Sequence, residues 1–156
     1  HKAERGSVRD FPGARTVERD AVVGVDCDIL VLCARAHSVT SANAGDVRAG
    51  LVVEGGNGEI SAPAAASLLA RGVHVLPDIL ASAGGVVGSY FEWVQDLQEN
   101  FWTAAQVSEQ LDLVMTRTTE EVLARRRRDG CNTRQAATML AVERVAEAHR
   151  VRGLYP

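Results

Sequence analysis

The sequence predicts an α/β fold in which three parallel strands and their crossover helices are followed by a set of C-terminal helices. Three continuous apolar runs predict the strands, and helix-forming segments separate them. Strands that alternate with short helices are typical of a parallel sheet. The chain of 156 residues is long enough for one domain with a substantial core.

The strands are predicted over residues 28–34, 50–58 and 72–78, where the second range includes a glycine-rich turn. Unbroken apolar runs such as DILVLCA are typical of strands that are buried on both faces. The polar segment 1–16 contains the turn signal Pro12–Gly13 and is predicted to be a loop.

Short helices are predicted in both crossovers. Ser61 can cap a helix that has Pro63 in its first turn and ends at Gly72, where a left-handed residue is favoured. A shorter helix between the first two strands would start at Thr40.

After residue 77 the pattern is helical. An apolar row with a second row beside it predicts a helix that packs on the sheet. These rows are Val86, Tyr90, Trp93 and Leu97, and Val87, Phe91 and Val94. Thr103 with Gln106, and Asn132 with Gln135, form capping boxes that predict two further helices.

Composition and charge are those of an ordinary globular protein, with 46% hydrophobic residues, 24% charged residues and a net charge of −3. No window approaches the ~20 apolar residues of a membrane helix, and no secretory signal is found. The three cysteines match no zinc or redox spacing, which favours reduced thiols and a cytoplasmic location. The run Arg125–Arg128 precedes Gly130, and Glu121 lies four residues before Arg125, so we interpret it as a solvated helix end rather than a nucleic-acid site.

Two further features of the sequence bear on its chemistry and on its completeness. Sixteen of its 17 basic residues are arginine, and Lys2 is the only lysine. The chain begins at His1 and its first methionine is Met115, which we interpret as the tail of a longer protein.

Candidate ligand-binding residues lie where the predicted strands end, because open parallel sheets bind ligands at their carboxyl edge. The segments concerned are 33–35, 55–58 and 78–85. Asn57 can donate and accept, which suits a carboxamide, but Gly and Asn are also the commonest turn residues. Asp78 is either catalytic or a cap of the following turn.

A second candidate region is the start of the long helix after Asp78. Gly84 and Gly85 have no side chains to cover the N-terminal amides of this helix, and such amides attract anions. Ser89 follows one turn later on the same face as Val86. Its hydroxyl either binds a ligand carboxylate or donates to the carbonyl four residues earlier, and the spacing leaves both open.

Several segments together resemble the C-terminal half of hexameric glutamate dehydrogenases, in the Glu/Leu/Phe/Val dehydrogenase family. They are VVEGGNG, GVHVLPDILASAGGVVGSYFEWVQ and AATMLAVERVAEA, and the opening GSVRDFPGA resembles a loop of the coenzyme domain of these enzymes. The resemblance covers nearly the whole chain, and SYFEWVQ favours the glutamate enzymes within the family.

The resemblance implies a partial Rossmann-type coenzyme domain over residues 1–100 that lacks its first βαβ unit. Residues 101–156 would form C-terminal helices that pack on the same unit. The implied reaction is oxidative deamination of L-glutamate to 2-oxoglutarate and ammonia, with NAD or NADP as the coenzyme. Full-length family members form hexamers, and self-association of this chain is an expectation.

The resemblance also assigns roles to individual residues. Ala34, Asn57 and Ser82 would contact the coenzyme. Val86 and Ser89 would contact the substrate, with Ser89 holding its side-chain carboxylate.

Three departures from the family pattern weaken contacts that the resemblance would otherwise imply. Within LCARAH, Arg35, Ala36 and His37 replace an acidic–asparagine or similar pair and its neighbours. Ser82 replaces an asparagine, and Gly88 replaces a valine.

The resulting hypothesis is a fragment of an NAD(P)-dependent glutamate dehydrogenase that is inactive as an isolated chain, because the family's catalytic lysine and aspartate belong to an N-terminal domain. One alternative is a non-enzymatic interaction module or remnant, since an uncovered sheet edge and an apolar helix face seek partners. Another is a subunit that a separate N-terminal half completes in trans.

Overall fold

A computed structural model describes residues 1–153 and shows a three-stranded parallel sheet of order β1-β2-β3. The strands are β1 (Ile29–Leu32), β2 (Leu51–Glu54) and β3 (His74–Leu76). Ile29 pairs with Leu51, which in turn pairs with His74. The predicted α/β fold with three parallel strands is confirmed, and each strand is shorter than its apolar run. The prediction that the first run is buried on both faces is wrong, because Ile29 and Val31 of the edge strand β1 are 55% and 57% exposed.

Within residues 1–153, one short α-helix precedes the sheet, one connects β2 to β3, and four follow β3 and fill the C-terminal half. They are α1 (Lys2–Arg5), α2 (Ala62–Ala70), α3 (Asp78–Ala81), α4 (Ala83–Gln98), α5 (Ala104–Asp129) and α6 (Thr133–Arg152). The predicted loop over 1–16 is therefore interrupted by α1. No helix in this part of the chain is both long enough and apolar enough to cross a membrane.

The first crossover contains a 3₁₀ turn, Ala44–Asp46, instead of the predicted helix from Thr40. The Asn43 side-chain oxygen accepts the Thr40 N–H at 2.7 Å. This local bond favours a turn over a helix, because a side chain of this type competes with the backbone ladder.

The second crossover, α2, provides the main core against the sheet. Val52 of β2 and Leu68 of α2 are wholly buried, as is Val39 in the first crossover. Gly72 ends the α2 segment with a left-handed φ of 78°, as predicted. Ser61 lies at the N-cap position, but its side chain makes no capping hydrogen bond within the described residues.

The C-terminal helices begin at the predicted capping boxes. The Thr103 hydroxyl accepts the Gln106 N–H at 3.3 Å, and the Asn132 side chain accepts the Gln135 N–H at 2.9 Å. A second core cluster joins α3, α5 and α6 through Leu80, Val122, Ala136 and Ala137. Because α6 also contacts β3, the two predicted units touch, but their boundary at residue 100 stays a prediction and residues 154–156 of the second unit lie outside the described range.

The prediction that α4 packs on the sheet is wrong for its first apolar row. Val86 is 73% exposed, and Tyr90, Trp93 and Leu97 are also more than half exposed. The helix packs instead against α5, and Phe91 of the second row is buried. We call the exposed row the open face of α4.

The arginine run at the end of α5 lies in a network of ion pairs, although not the predicted one. Arg125 pairs with Asp129, whereas Glu121 pairs with Arg117 and Arg144. The neighbouring Asp129 carboxylate lies at the C-terminal end of α5, where its two arginine partners lower its pKa against the opposing effect of burial.

Candidate functional site

The carboxyl ends of the first two strands are joined directly through their backbones. The N–H of Gly55 donates to the Leu32 carbonyl at 2.7 Å, and the N–H of His37 donates to the Gly58 carbonyl at 2.8 Å. A Cβ at Gly55 would lie 2.5 Å from the Cys33 sulfur and 3.0 Å from the Leu32 carbonyl oxygen, so a larger residue would require the loop after β1 to shift. The loop after β1 (residues 33–38) and the turn after β2 (residues 55–58) therefore form one continuous edge.

Asp78 connects the end of the third strand to this edge. Its carboxylate accepts the Gly58 N–H at 2.8 Å and the Ile79 N–H at 2.7 Å, and it pairs with Arg134 at 2.7 Å. Burial raises the pKa of Asp78, but these donors outweigh it and hold the pKa below its ordinary value. Of the two roles that the sequence left open, the observed contacts are those of a structural anchor at the start of α3.

The Arg134 guanidinium also pairs with Glu54, a wholly buried carboxylate at the end of β2. The other Glu54 oxygen accepts the Ile60 N–H at 3.0 Å. Glu54 ends an apolar run, and a charged residue at such a position indicates a buried carboxylate that needs a partner. That partner, Arg134, is 80 residues away in sequence. Sequence reasoning missed both residues.

A second wholly buried carboxylate, Glu59, lies beneath the same edge and was also missed. It contacts the N–H of Ala34 and the hydroxyl of Ser38, both in the loop after β1. Nothing in the local sequence distinguishes Glu59 from a solvent-exposed glutamate.

Two of the predicted coenzyme residues are brought to this edge and left accessible. Ala34 and Asn57 are exposed, in the adjoining loop and turn. Ala34 also lines a cleft of about 240 Å³ that runs along β1. The third, Ser82, lies between α3 and α4, where its hydroxyl donates to the Asp78 carbonyl at 2.7 Å.

The predicted substrate residues lie on α4 rather than in the loop and turn that form this edge. Val86 and Ser89 occupy the exposed first turns of α4. The Ser89 hydroxyl donates to the Gly85 carbonyl at 3.0 Å, which is the second of the two arrangements that spacing left open. Within residues 1–153 no hydrogen bond joins Ser89 to the loops after β1 and β2.

A parallel sheet whose strand ends carry small residues and an exposed asparagine places this chain among the open α/β proteins, a class in which ligands bind at the carboxyl edge of the sheet. Comparison with known proteins identifies the family within this class. The chain belongs to the Glutamate/Leucine/Phenylalanine/Valine dehydrogenase family, whose model matches residues 1–153. The family resemblance of the sequence is thereby confirmed.

Three relatives with 34% to 41% identity are glutamate dehydrogenases. The enzyme of Thermotoga maritima is 41% identical over all 156 residues, which correspond to 38% of that protein. A hetero-hexameric glutamate dehydrogenase structure from Thermus thermophilus, in a leucine-bound form, gives a TM-score of 0.90 at 37% identity over 99% of this chain and 36% of its own. For the Peptoniphilus asaccharolyticus enzyme the TM-score is 0.75 at 34% identity, over 80% of this chain and 32% of its own. The chain thus spans about a third of the length of these relatives.

Proposed function

We propose that this chain forms the coenzyme-side part of an NAD(P)-dependent glutamate dehydrogenase, which deaminates L-glutamate oxidatively to 2-oxoglutarate and ammonia. The observation that carries the proposal is the match to the Thermotoga maritima glutamate dehydrogenase along the entire chain. The joined strand ends provide the edge at which such a sheet binds its ligand. The cysteine pattern favours a cytoplasmic location.

The residues at the edge fit a nicotinamide coenzyme. The exposed Asn57 side chain offers both an acceptor and donors for a carboxamide, and the small Ala34 leaves room for a flat ring. A bound nicotinamide would supply the hydride acceptor of the reaction. Ser82 retains its acceptor lone pairs for a coenzyme contact, because its only proton is directed to Asp78.

The substrate side of the proposal rests on the exposed start of α4. Val86 offers an apolar contact for the carbon chain of glutamate. Ser89 holds the substrate side-chain carboxylate, for which its hydroxyl must rotate away from the Gly85 carbonyl. This rotation is open to it because the side chain is exposed.

We further propose that the 156 residues alone do not turn over glutamate. Hydride transfer from an amino acid needs a positioned substrate and a base, and the single lysine, Lys2, lies exposed in α1. Additional protein, linked to the chain or supplied in trans, would provide these groups. Glutamate-dependent formation of reduced coenzyme by the purified chain would contradict this.

Calorimetric titration with NAD and with NADP tests the coenzyme assignment. We expect saturable binding of at least one, and a dissociation constant raised about fivefold or more by Asn57→Ala, since a lost hydrogen bond costs about 1 kcal/mol. Asn100→Ala is the matched control, because Asn100 is an exposed asparagine beyond the end of α4. Absence of binding for both coenzymes, or equal effects of the two variants, would refute the assignment.

A second candidate function, a protein-interaction module, is favoured by the open face of α4 and by the exposed Ile29 and Val31 of β1. Exposed apolar patches of this kind seek partners. Size-exclusion chromatography with light scattering tests it, and a monomer at all concentrations without a co-purifying protein would count against it. Hexamer formation, as in the Thermus thermophilus relative, belongs to the leading proposal.

A further inference from the structure

Glu59 is a buried carboxylate to which neither the sequence motifs nor the proposed function gives a role. It has no solvent exposure, and it follows the turn after β2 directly in sequence. A buried carboxylate is stable only when hydrogen-bond donors replace the water that it has lost. The hydrogen-bond donors around Glu59 therefore indicate its structural role.

Both carboxylate oxygens of Glu59 bind the loop after β1. Oε1 accepts the Ala34 N–H at 2.7 Å, and Oε2 accepts the Ser38 hydroxyl at 2.5 Å. The Ser38 oxygen also lies 2.7 Å from the Arg35 carbonyl. A hydroxyl has one proton, and a carboxylate is the stronger acceptor, so the proton is directed to Glu59.

The turn after β2 closes over the same carboxylate from the other side. A Cβ at Gly56 would lie 2.5 Å from Glu59 Oε1, so the backbone there is in direct contact with it. Glu59 thus touches both segments that carry the proposed coenzyme residues, Ala34 and Asn57. The loop after β1 needs such an anchor, because His37 within it has a left-handed φ of 58° without being glycine.

We propose that Glu59 is the positioning residue of the coenzyme edge, which fixes the loop after β1 against the turn after β2 so that Ala34 and Asn57 face one ligand. This inference rests on the proposed function. Glu59 itself does not contact the coenzyme, since it is buried beneath the loop. Its effect on binding is exerted through the backbone of Ala34 and through Ser38.

Two substitutions at this position separate anchoring from packing. Glu59→Met keeps the length of the side chain but leaves the Ala34 N–H and the Ser38 hydroxyl without their partner. Glu59→Gln can keep both contacts, because its amide oxygen accepts from Ala34 and its amide nitrogen donates to Ser38, whose own proton then turns to the Arg35 carbonyl. Glutamine is therefore the rescuing variant.

Val47→Ala is the control for general destabilisation. Val47 is wholly buried and precedes β2 at the amino edge of the sheet, opposite the carboxyl ends of the strands where Glu59 lies. Truncating a buried valine leaves a cavity and lowers stability without touching the loop after β1. An effect that Glu59→Met has and Val47→Ala lacks is therefore due to loss of the contacts between Glu59 and the loop after β1.

The experiment measures amide hydrogen exchange at Ala34 and calorimetric affinity for NAD and NADP in the full chain and its three variants. We expect Glu59→Met to speed exchange at Ala34 and to weaken coenzyme binding by about tenfold or more, and Glu59→Gln to stay within about threefold of the parent in both. Val47→Ala should change neither once its global stability is taken into account.

The outcomes distinguish this inference from the function on which it rests. Exchange at Ala34 that is no faster in Glu59→Met than in Val47→Ala would overturn the anchoring role. Faster exchange with unchanged coenzyme affinity would overturn the link between this loop and the coenzyme. If the parent chain binds neither coenzyme, the proposed function is refuted. The hydrogen-exchange rates at Ala34 then still show whether Glu59 anchors the loop after β1.

Discussion

Replacing Arg134 by methionine removes the only guanidinium that the described residues place on Glu54. The Glu54 side chain is 1% exposed, and the guanidinium that pairs with it also pairs with the Asp78 carboxylate, at 2.7 Å. Methionine keeps most of the apolar stem but not the charge, so a buried carboxylate is left with the Ile60 N–H as its remaining donor.

The expected loss of stability follows from the burial of the partners. Removing one member of a fully buried ion pair costs about 3–5 kcal/mol. The Arg134 side chain is itself 45% exposed, so water can reach the site and part of that cost disappears. We expect a decrease of about 2–3 kcal/mol in the free energy of unfolding.

Urea unfolding followed by circular dichroism measures this difference, with Arg144→Met as the matched control. Arg144 lies on the same helix and pairs with Glu121, but the side chains are 57% and 35% exposed. An exposed pair contributes about 0.5 kcal/mol, so the control should change little. Equal losses in the two variants would refute the claim that Glu54 depends on Arg134.

Four further perturbations have signs that the structure determines. Gly88→Ala should raise the free energy of unfolding by about 0.5–1 kcal/mol, because it lies inside α4 with nothing within 4 Å of a new Cβ. Gly56→Ala should lower the free energy of unfolding by about 1–3 kcal/mol, because the new methyl group would clash with Glu59. Thermal unfolding checks both glycine variants, since the midpoint should rise for Gly88→Ala and fall for Gly56→Ala. Thr103→Ala should lower the free energy of unfolding by about 1 kcal/mol, because the N-terminal cap of α5 is lost. The urea midpoint should fall accordingly, and an unchanged midpoint would show that the capping box is not formed in solution. The pKa of Asp78 is lower in the folded chain than its ordinary value of 3.8, so its stabilising contribution is present above about pH 5 and is lost as the pH falls through the folded value. Unfolding at several pH values should therefore show an acid loss that Asp78→Asn reduces, and an identical pH dependence in both proteins would contradict this.

Local signals in the sequence predicted much of the fold. The caps at Thr103 and Asn132 and the left-handed Gly72 depend on residues within a few positions of each other, so their spacing is sufficient to identify them. The strands were predicted because continuous apolar runs bounded by turn residues are typical of strands in parallel sheets.

Interactions between distant segments could not be predicted in this way. The partners Glu54 and Arg134 are far apart in sequence, and neither has a periodicity that points to the other. The apolar row on α4 has the correct helical spacing, but spacing cannot show which of two apolar rows faces a neighbour. Phe91 faces inward and Trp93 does not.

For the candidate site, the strand ends were located from the sequence because their position follows from the parallel sheet. The hydrogen-bond partner of Ser89 was left open, because a helical serine can always reach the carbonyl one turn back. The buried role of Glu59 had no sequence signal, since it depends on the loop that folds over it.

The open face of α4 also carries a fluorescent side chain. Trp93 is 59% exposed on that face, whereas Trp102 is only partly exposed and lies with its ring 5.3 Å from that of Phe91. These are the two tryptophans of the chain. Fluorescence of a Trp102→Phe variant therefore comes from Trp93 alone, and a blue shift of its emission would register any molecule that covers this helix without a label being attached.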